Sequence, residues 1–167
     1  RTVLVTGGGS GIGAAFVEAF VCQGSRVAFF DIQEEASLEL KNKLAGRGPD
    51  PFFLKCDVTD IPALKQAIST IEHELGAIRV LINNASNDER HEPKDVLPEY
   101  WEERLKLILS HHFFTSQAVQ PKMAEAGGGS IINMGSISWH MAFEFMPGYT
   151  SSKAAIEGLT VSLARAY

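Results

Sequence analysis

Short apolar segments alternate along the chain with longer amphipathic ones, and this alternation limits the possible folds more than any other feature. It predicts strands at 3–6, 26–31, 52–56, 78–83 and 130–134, and helices at 12–23, 34–44, 61–75, 98–126 (broken near Pro121) and 151–165. The strands lack in-and-out polar alternation, which indicates that helices cover both faces of the sheet. We therefore predict one doubly wound α/β domain with a parallel sheet over residues 1–167.

Composition argues against several classes of protein. The chain is 45% hydrophobic and 21% charged, as is ordinary for a globular domain, and its formal net charge of −5 disfavours a nucleic-acid partner. No apolar run approaches the roughly 18 residues that span a membrane. Cys22 and Cys56 lie in apolar segments without C-x-x-C spacing, so we expect buried free thiols and a reducing, cytoplasmic location. The five histidines show no paired spacing that predicts a metal site.

A glycine-rich segment follows the first predicted strand and leads directly into a helix. Ligands of doubly wound sheets bind beyond the carboxyl ends of the strands, where this segment lies. Glycines let the backbone turn tightly beside a pyrophosphate, and the helix that follows offers free N–H groups. A flexible turn is the alternative, but the flanking strand and helix favour a phosphate-binding loop. Its candidate cofactor residues are Gly7, Gly9, Ser10, Gly11, Ile12 and Gly13.

Asp31 ends the second predicted strand and is a candidate for recognising the adenosine ribose. A carboxylate there accepts hydrogen bonds from both ribose hydroxyls of NAD and repels the 2′-phosphate of NADP. No arginine lies beside Asp31 in the sequence, so we predict that the cofactor is NAD. The alternative is that Asp31 caps the next helix or lies in a solvated turn.

Three motifs together resemble the short-chain dehydrogenase/reductase family. The glycine loop has the family's T-G-x-x-x-G-x-G spacing, and 83–86 (N-N-A-S) resembles its N-N-A-G motif, with Ser86 in place of glycine. Tyr149 and Lys153 lie four residues apart and Ser136 ends the fifth predicted strand, as in the family's Ser, Tyr and Lys triad. The resemblance implies a Rossmann fold with strand order 3-2-1-4-5. It also implies further cofactor contacts, at Ile32, Asp57, Val58, Asn84, Ala85, Ser86, Tyr149 and Lys153.

Two of these implied contacts have structural alternatives. By the resemblance, Asp57 contacts the adenine amino group and Val58 packs near the adenine ring, but Asp57 could instead cap the next helix. The resemblance also implies that Asn83 ties neighbouring strands together while the backbone after it passes close to the cofactor. An asparagine-rich surface turn is the alternative for that segment.

The triad suits the oxidation of an alcohol. Hydride removal from an alcohol carbon requires the hydroxyl proton to leave too, and free tyrosine, with a pKa of about 10, is a poor base near neutrality. An ammonium group such as that of Lys153 favours the ionised phenol of Tyr149. The resemblance implies that Lys153 also holds the nicotinamide ribose and that Ser136 hydrogen-bonds the substrate oxygen. We therefore predict hydride transfer to NAD with Tyr149 as the base.

One family element is absent from this chain. Many members carry an asparagine seven residues after a tryptophan in the long helix, and counting from Trp101 reaches Ile108. In the family that asparagine helps hold a water in a proton relay to the lysine, whereas the side chain of isoleucine has no polar atom. Either the relay is built differently here or turnover is weak.

Three short strings, at 87–91, 111–114 and 136–140, resemble sugar dehydrogenases of the same family that oxidise aldoses such as D-xylose or L-arabinose. A sugar site needs several hydrogen-bonding groups and an aromatic platform. His91 and His140 fit such a site and a surface loop equally well, whereas His111 and His112 are expected on the surface of the long helix. The candidate substrate residues are Asp88, Arg90, His91, Ser138, Trp139 and His140.

Three functions stay open at this point. The first is an NAD-dependent dehydrogenase of a sugar or other secondary alcohol. The second is a 3-ketoacyl or other carbonyl reductase of the same fold, which a preference for NADP would favour. The third is a catalytically weak NAD-binding protein, which Ile108 and Ser86 suggest. Fold alone does not choose among them.

Assembly and chain length give two further expectations. The long helix and the helix with Tyr149 resemble those that pair between subunits in the family, and their apolar residues exceed what one sheet face needs, so we predict a homodimer or homotetramer. The apolar helical pattern is unbroken at Tyr167, and the family fold has further strands beyond the fifth. We therefore expect this sequence to be part of a longer chain. The apolar residues in question are Phe113, Phe114, Ile156 and Leu163.

Overall fold

The helices and strands alternate from the first residues to the last in a computed structural model that describes all of residues 1–167. The strands form one parallel sheet in the order β3-β2-β1-β4-β5, as predicted. The elements are β1 (Thr2–Thr6), α1 (Gly11–Cys22), β2 (Arg26–Asp31), α2 (Glu34–Leu44), β3 (Phe52–Lys55), α3 (Ile61–Leu75), β4 (Ile78–Asn83), α4 (Pro98–Leu105), α5 (His111–Glu125), β5 (Ser130–Asn133) and α6 (Pro147–Ala166).

Helices cover both faces of the sheet, and the alternation of side chains along β1 divides the core into two layers. Val3 and Val5 are buried on one face with Val17 of α1, and Leu4 is buried on the other face with Ile68 of α3. All five side chains are fully or almost fully buried. Burial of each stabilises the fold by about 2 kcal/mol, which agrees with the apolar run Val3–Val5 in the middle of β1.

The strand order creates the place where a ligand can bind. From β1 the chain adds β2 and β3 on one side, and it then adds β4 and β5 on the other side. The helices α1 and α2 pack on one face, and α3 and α5 on the opposite face. The segments that leave the carboxyl ends of β1 and β4 therefore run to opposite faces of the sheet, and a crevice remains between them at this edge.

The long predicted helix is interrupted at a different place from the one predicted. The chain forms α4, then a π-helical turn over Lys106–Ser110, and then α5, which continues through Pro121 without a break. The prediction of a break at Pro121 is wrong because proline removes only one backbone hydrogen bond, while Val119 and Met123 on either side of it are anchored in the core.

The last helix starts earlier than predicted. The structure places its first residue at Pro147 rather than at 151, so Tyr149 belongs to the first turn. Proline is favoured at this position because its fixed φ suits a helix and its missing N–H would have no partner there. The other predicted bounds agree with the structure to within one residue.

The two thiols differ in exposure. Cys56 is buried as expected, whereas Cys22 is exposed, so that part of the prediction is wrong. Cys22 is the last residue of α1, whose buried side is formed by Val17 and Val21. None of the helices combines the length and the apolar character that crossing a membrane requires.

Candidate active site

A groove of about 580 Å³ lies at the carboxyl ends of β1, β2 and β4. This volume is within the range of roughly 300–1,000 Å³ that is typical of small-molecule sites. The glycine loop, the residues that end the strands and the start of α6 all contribute to its walls. The residues predicted from sequence that line it are Gly7, Ser10, Gly11, Ile12, Gly13, Asp31, Ile32, Asp57, Val58, Asn84, Ala85, Ser86, Asp88 and Tyr149.

The glycine loop is shaped so that a phosphate can approach its backbone. Gly7 has a φ of +64°, and a Cβ there would lie 2.8 Å from the Cα of Ala85. A Cβ at Gly13 would collide with the Gly7 carbonyl oxygen. Gly11 has a φ of +52°, and the space beside it is open. Larger side chains at these positions would displace the loop or narrow the groove.

The N-terminus of α1 meets the groove at this loop. Ser10 is the N-cap residue, and its side chain makes no capping hydrogen bond. The first N–H groups of a helix have no partner within the helix and carry the positive end of its dipole. The geometry therefore fits a pyrophosphate group.

Asp31 is buried at the end of β2 and is held by two backbone donors. Its Oδ2 accepts the Gly9 N–H at 2.8 Å and its Oδ1 accepts the Gln33 N–H at 2.9 Å. Gln33, not Asp31, occupies the N-cap position of α2, so the helix-cap alternative for Asp31 is wrong. Because each carboxylate oxygen has a second lone pair, Asp31 can still accept ribose hydroxyls. Gly9 does not line the groove itself but fixes the carboxylate that does.

Asp57 also does not cap a helix through its side chain. Its Oδ1 accepts the N–H and the hydroxyl of Thr59, each at 2.8 Å. Asp60 caps α3 instead, by accepting the Ala63 N–H at 3.0 Å. The second carboxylate oxygen of Asp57 makes no hydrogen bond within the chain, which leaves an acceptor at the edge of the groove.

The turn after β4 is tied to the glycine loop by a side chain from each. The Thr6 hydroxyl oxygen accepts the N–H groups of Asn84 and Ala85 at 2.9 and 3.0 Å. In return, Asn84 Nδ2 donates to the carbonyl oxygens of Thr6 and Gly7, both at 3.0 Å. The two walls of the groove are therefore fixed relative to one another, and the alternative of a loose surface turn is wrong for this segment.

Asn83 ties β4 to β5 and to α5. It is fully buried, its Nδ2 donates to Asn133 Oδ1 at 2.9 Å, and its Oδ1 accepts the Thr115 hydroxyl at 2.5 Å. Ser86, three residues later, is exposed at the groove. Its hydroxymethyl group therefore has room at the groove.

The three candidate catalytic residues come from β5 and α6. Lys153 Nζ lies 5.5 Å from the ring centroid of Tyr149 and donates to the Met134 carbonyl oxygen at 2.7 Å. Ser136 lies just beyond β5, where its hydroxyl accepts the Ser138 N–H at 3.1 Å and bonds the Ser138 hydroxyl at 2.9 Å. Tyr149 lines the groove, whereas Ser136 and Lys153 are not part of its lining.

Lys153 is buried without a carboxylate partner. Burial disfavours the charged form and lowers the pKa of Lys153 to about 8. Only one of its three N–H donors is used within the chain, by the Met134 carbonyl. The ammonium group therefore retains donors for a ligand that enters the groove.

Ile108 lies fully buried in the π-helical turn between α4 and α5. The His111 N–H reaches back to the Lys106 carbonyl, the i→i−5 bond that defines this turn. Such turns widen a helix locally and are frequent at functional sites. Leu107, the residue before Ile108, lines the cofactor groove.

His111 and His112 are completely buried, so the expectation that they lie on the helix surface is wrong. The π-helical turn rotates α5 relative to α4 and turns both imidazoles inward, where their rings lie 4.4 Å apart. Burial lowers the pKa of His111 to about 3 and that of His112 to about 2. Both are therefore neutral at physiological pH.

The candidate substrate residues are divided between several places. Asp88 lines the groove and Ser138 bonds Ser136, whereas Arg90 is exposed. Trp139 and His140 form an exposed stacked pair with ring centroids 3.5 Å apart. The structure thus brings Asp88 to the cofactor groove and Ser138 to Ser136, and it leaves the aromatic pair at the surface.

His91 holds two loops together. The backbone N–H of His91 donates to the Phe145 carbonyl oxygen at 2.6 Å, and the ring Nδ1 of His91 lies 3.0 Å from the Tyr100 hydroxyl. Tyr100 in turn carries the Arg104 guanidinium 4.7 Å from its ring centroid, and Arg104 packs against Gly148 beside Tyr149. The loop after β4 is thereby joined to the start of α6.

Three residues that shape the site were not predicted from the sequence. Thr6, Arg104 and His111 are all buried polar residues. Thr6 could have been found, because it is the last residue of a buried strand and directly precedes the glycine loop. Arg104 and His111 carry no such signal, since their positions depend on the π-helical turn and on the start of α6.

The chain is similar to known dehydrogenases over its whole length. A family model described as short chain dehydrogenase matches residues 1–167. D-xylose 1-dehydrogenase of Caulobacter vibrioides is 46% identical over 99% of this chain and 65% of the relative. A protein of Rhizobium meliloti described as a probable galactose dehydrogenase is 49% identical over 98% of this chain and 64% of the relative.

Relatives of lower sequence identity are also named as dehydrogenases. D-threitol dehydrogenase of Mycolicibacterium smegmatis is 35% identical over 98% of this chain and 63% of the relative. A crystal structure described as that of a candidate short-chain alcohol dehydrogenase from Sinorhizobium meliloti 1021 has a TM-score of 0.93 at 30% identity, and it covers 99% of this chain and 66% of that one. The chain thus spans just under two thirds of the length of these proteins.

Proposed function

The chain belongs to the short-chain dehydrogenase family, and from this premise we propose that it is the NAD-binding and catalytic part of an enzyme that oxidises a sugar or other secondary alcohol. The family match over residues 1–167 confirms the resemblance found in the sequence. The observation that carries the proposal is that the carboxylate of Asp31 and the phenol of Tyr149 line one groove, with the Lys153 ammonium 5.5 Å from the ring centroid of Tyr149.

The groove fits a dinucleotide in three respects. The glycine loop and the uncapped start of α1 suit the pyrophosphate. Asp31 presents carboxylate oxygens for the adenosine ribose, and its negative charge opposes a 2′-phosphate. Asp57 and Val58 lie farther along the same groove, where the adenine would rest. These features support NAD rather than NADP.

The catalytic roles follow from the chemistry of the three side chains. When bound, the cofactor supplies the nicotinamide that accepts the hydride. Tyr149 takes the hydroxyl proton of the substrate, and the Lys153 ammonium favours the ionised phenol. The Ser136 hydroxyl, held by Ser138, hydrogen-bonds the substrate oxygen. A free N–H donor of Lys153 is available to a ribose hydroxyl, as the family resemblance implies.

A sugar is the substrate class that the surroundings support best. Asp88 adds a carboxylate beside the cofactor groove, and Ser138 adds a hydroxyl next to Ser136. Trp139 does not line the groove, but it follows Ser136 by three residues and is 36% exposed, so its ring is available as a platform for the C–H face of a sugar that reaches Ser136. Two relatives carry the names D-xylose 1-dehydrogenase and probable galactose dehydrogenase, and both named sugars are aldoses, which agrees with this proposal.

The test is a screen for NADH formation by the full-length protein. We expect NADH to form with NAD and an aldose, faster than with an alditol or a simple aliphatic alcohol. Trp139→Ala should raise the KM for the aldose and leave the affinity for NAD unchanged. A rate that is higher with aliphatic alcohols, or that requires NADP, would overturn the proposal.

We also propose that the protein is a homodimer or homotetramer. Phe113 of α5 and Val161 of α6 are large, apolar and exposed, which is typical of an interface between helices. Ile156 and Phe114, in contrast, pack inside the chain and are not available. Light scattering at micromolar concentration should give at least twice the mass of one full-length chain. A monomeric mass would contradict the proposal.

A further inference from the structure

The His111 side chain connects three segments that build the cofactor groove, although it does not line the groove itself. It is fully buried. Its Nδ1 lies 2.5 Å from the Leu107 carbonyl oxygen in the π-helical turn, and its Nε2 lies 3.4 Å from the Thr6 hydroxyl at the end of β1. Through Thr6 it also influences the turn after β4, because the N–H groups of Asn84 and Ala85 in that turn donate to the Thr6 hydroxyl.

The donors and acceptors around His111 determine its tautomer. A hydroxyl group has one proton and two lone pairs. Both lone pairs of the Thr6 hydroxyl are used by the backbone N–H groups of Asn84 and Ala85, so its proton must be donated to His111 Nε2. The Leu107 carbonyl can only accept, so His111 Nδ1 carries the ring proton.

A protonated imidazole would not fit this arrangement. Both ring nitrogens would then be donors, and Nε2 would point a proton at a hydroxyl whose lone pairs are already used. The nearby cation of Lys153 also disfavours a charge on His111, and only the hydrogen bond to the Leu107 carbonyl favours one. Burial lowers the pKa of His111 to about 3, in agreement with this geometry.

We propose that His111 is a positioning residue for the cofactor groove: as a neutral imidazole protonated on Nδ1, it directs the Thr6 hydroxyl and thereby holds the backbone of Asn84 and Ala85 against the glycine loop. This inference rests on the proposed binding of NAD in that groove. Without an acceptor at the position of Nε2, the Thr6 hydroxyl is free to rotate its proton toward one of the two backbone donors. The hydrogen bond from Asn84 N–H or from Ala85 N–H to the Thr6 hydroxyl then weakens. The separation of 3.4 Å is long for a hydrogen bond, so the effect on NAD affinity is at the low end of the usual range, about threefold.

The tautomer can be measured without any variant or activity. Long-range ¹H–¹⁵N spectra of the ¹⁵N-labelled full-length protein distinguish a ring protonated on Nδ1 from the more common Nε2 form. We expect His111 to show the Nδ1-protonated form, unchanged from pH 5 to pH 9. A proton on Nε2, or titration near the ordinary value for histidine, would overturn the proposal.

Two substitutions separate the two nitrogens of the ring. In His111→Asn, the amide nitrogen replaces Nδ1 and can still donate to Leu107, but the Thr6 hydroxyl loses its acceptor. In His111→Gln, the amide oxygen reaches the position of Nε2 and can accept from Thr6. We expect His111→Asn to raise the Kd for NAD about threefold with kcat at saturating NAD nearly unchanged, and His111→Gln to restore the wild-type Kd.

His112 provides the matched control, because it is equally buried but its ring nitrogens make no hydrogen bond. His112→Asn should lower stability as much as His111→Asn and leave the Kd for NAD unchanged. An equal rise in Kd in both variants, or a failure of His111→Gln to bind NAD better than His111→Asn, would show that His111 acts only through packing.

The same measurements keep this inference apart from the proposed function. If the wild-type protein binds NAD but oxidises no alcohol, the proposed catalysis fails while the Kd pattern still decides the role of His111. If the wild-type protein does not bind NAD, the proposed function and this inference are both wrong. If it binds and turns over, and the His111 variants bind NAD normally, only the inference is wrong.

Discussion

The Lys153 ammonium nitrogen lies 5.5 Å from the ring centroid of Tyr149, and its hydrogen bond to the Met134 carbonyl holds it there from the end of β5. This links the segment after β5, which carries Ser136, to the helix that carries Tyr149. It also places a buried cation without a counter-charge beneath the proposed base. The cost of that burial makes the lysine sensitive to pH.

Lys153 should make stability depend on pH above neutrality. Burial lowers the pKa of Lys153 from 10.5 to about 8. Between these values the unfolded chain binds one proton more than the folded chain, so the free energy of unfolding rises with pH in that window. We expect urea unfolding to show that the free energy of unfolding of the wild type, relative to that of Lys153→Met, is higher at pH 10 than at pH 7.5. An equal difference at both pH values would contradict the burial of a charged lysine.

The buried histidines should make the fold sensitive to acid. Burial lowers the pKa of His111 to about 3 and of His112 to about 2, against 6.5 for the free side chain. As pH falls below 6.5 the unfolded chain takes up protons that the folded chain excludes, which costs up to about 1.4 kcal/mol per pH unit for each histidine. Between pH 6.5 and pH 4.5, the free energy of unfolding of His112→Leu should therefore fall less steeply than that of the wild type. The difference in slope should correspond to the uptake of close to one proton fewer on unfolding. An unchanged slope would mean that His112 is accessible to protons in the folded state.

Asp31 should determine the choice between NAD and NADP. Its carboxylate is fixed by Gly9 and Gln33, so it cannot turn away from a 2′-phosphate. Asp31→Ser removes the charge, and we expect the ratio of the two Kd values to shift toward NADP by at least about tenfold. Asp57→Asn is the control, because the adenine is common to both cofactors and the ratio should stay the same. A wild-type protein that already prefers NADP would refute the role of Asp31.

Ile108 tests whether the proton relay differs from that of related enzymes. Because Ile108 is fully buried, an asparagine there costs about 1–3 kcal/mol of stability unless it finds a partner. If the missing amide limits proton transfer, Ile108→Asn should raise kcat. The increase should stay below about 100-fold, which is the smallest contribution usual for a positioned proton-transfer group. The Kd for NAD should not change, and Ile108→Leu should leave kcat as it is. An unchanged or lower kcat in a folded Ile108→Asn protein would mean that the proton leaves by another route.

Much of the fold could be predicted because local sequence signals agree with it. The run Val3–Val5 is apolar at consecutive positions because β1 is covered on both faces, and the glycine loop after it can only be accommodated between a strand and a helix. Asp31 ends β2 and Asn84 directly follows β4, so their convergence on the groove follows from the parallel order of the strands. Tyr149 reaches the same groove from the first turn of α6.

The π-helical turn could not be predicted from the same signals. Lys106–Ser110 has an ordinary helical composition, and the turn packs against α6, which is remote from it in sequence. That turn decides which residues of α5 face inward, so the burial of His111 and His112 was missed. Pro121 attracted the prediction of a break because proline is a strong local signal, although the core on either side overrides it.

The substitution Tyr149→Phe tests the central claim most directly, because it removes one oxygen atom and keeps the ring packed beside Lys153. The measurement is NADH formation by the full-length protein with NAD and an aldose, together with the Kd for NAD. We predict that Tyr149→Phe lowers kcat by at least about 100-fold and changes the Kd by less than about twofold. A Tyr149→Phe protein that keeps most of its activity would show that another group removes the proton and would contradict the account.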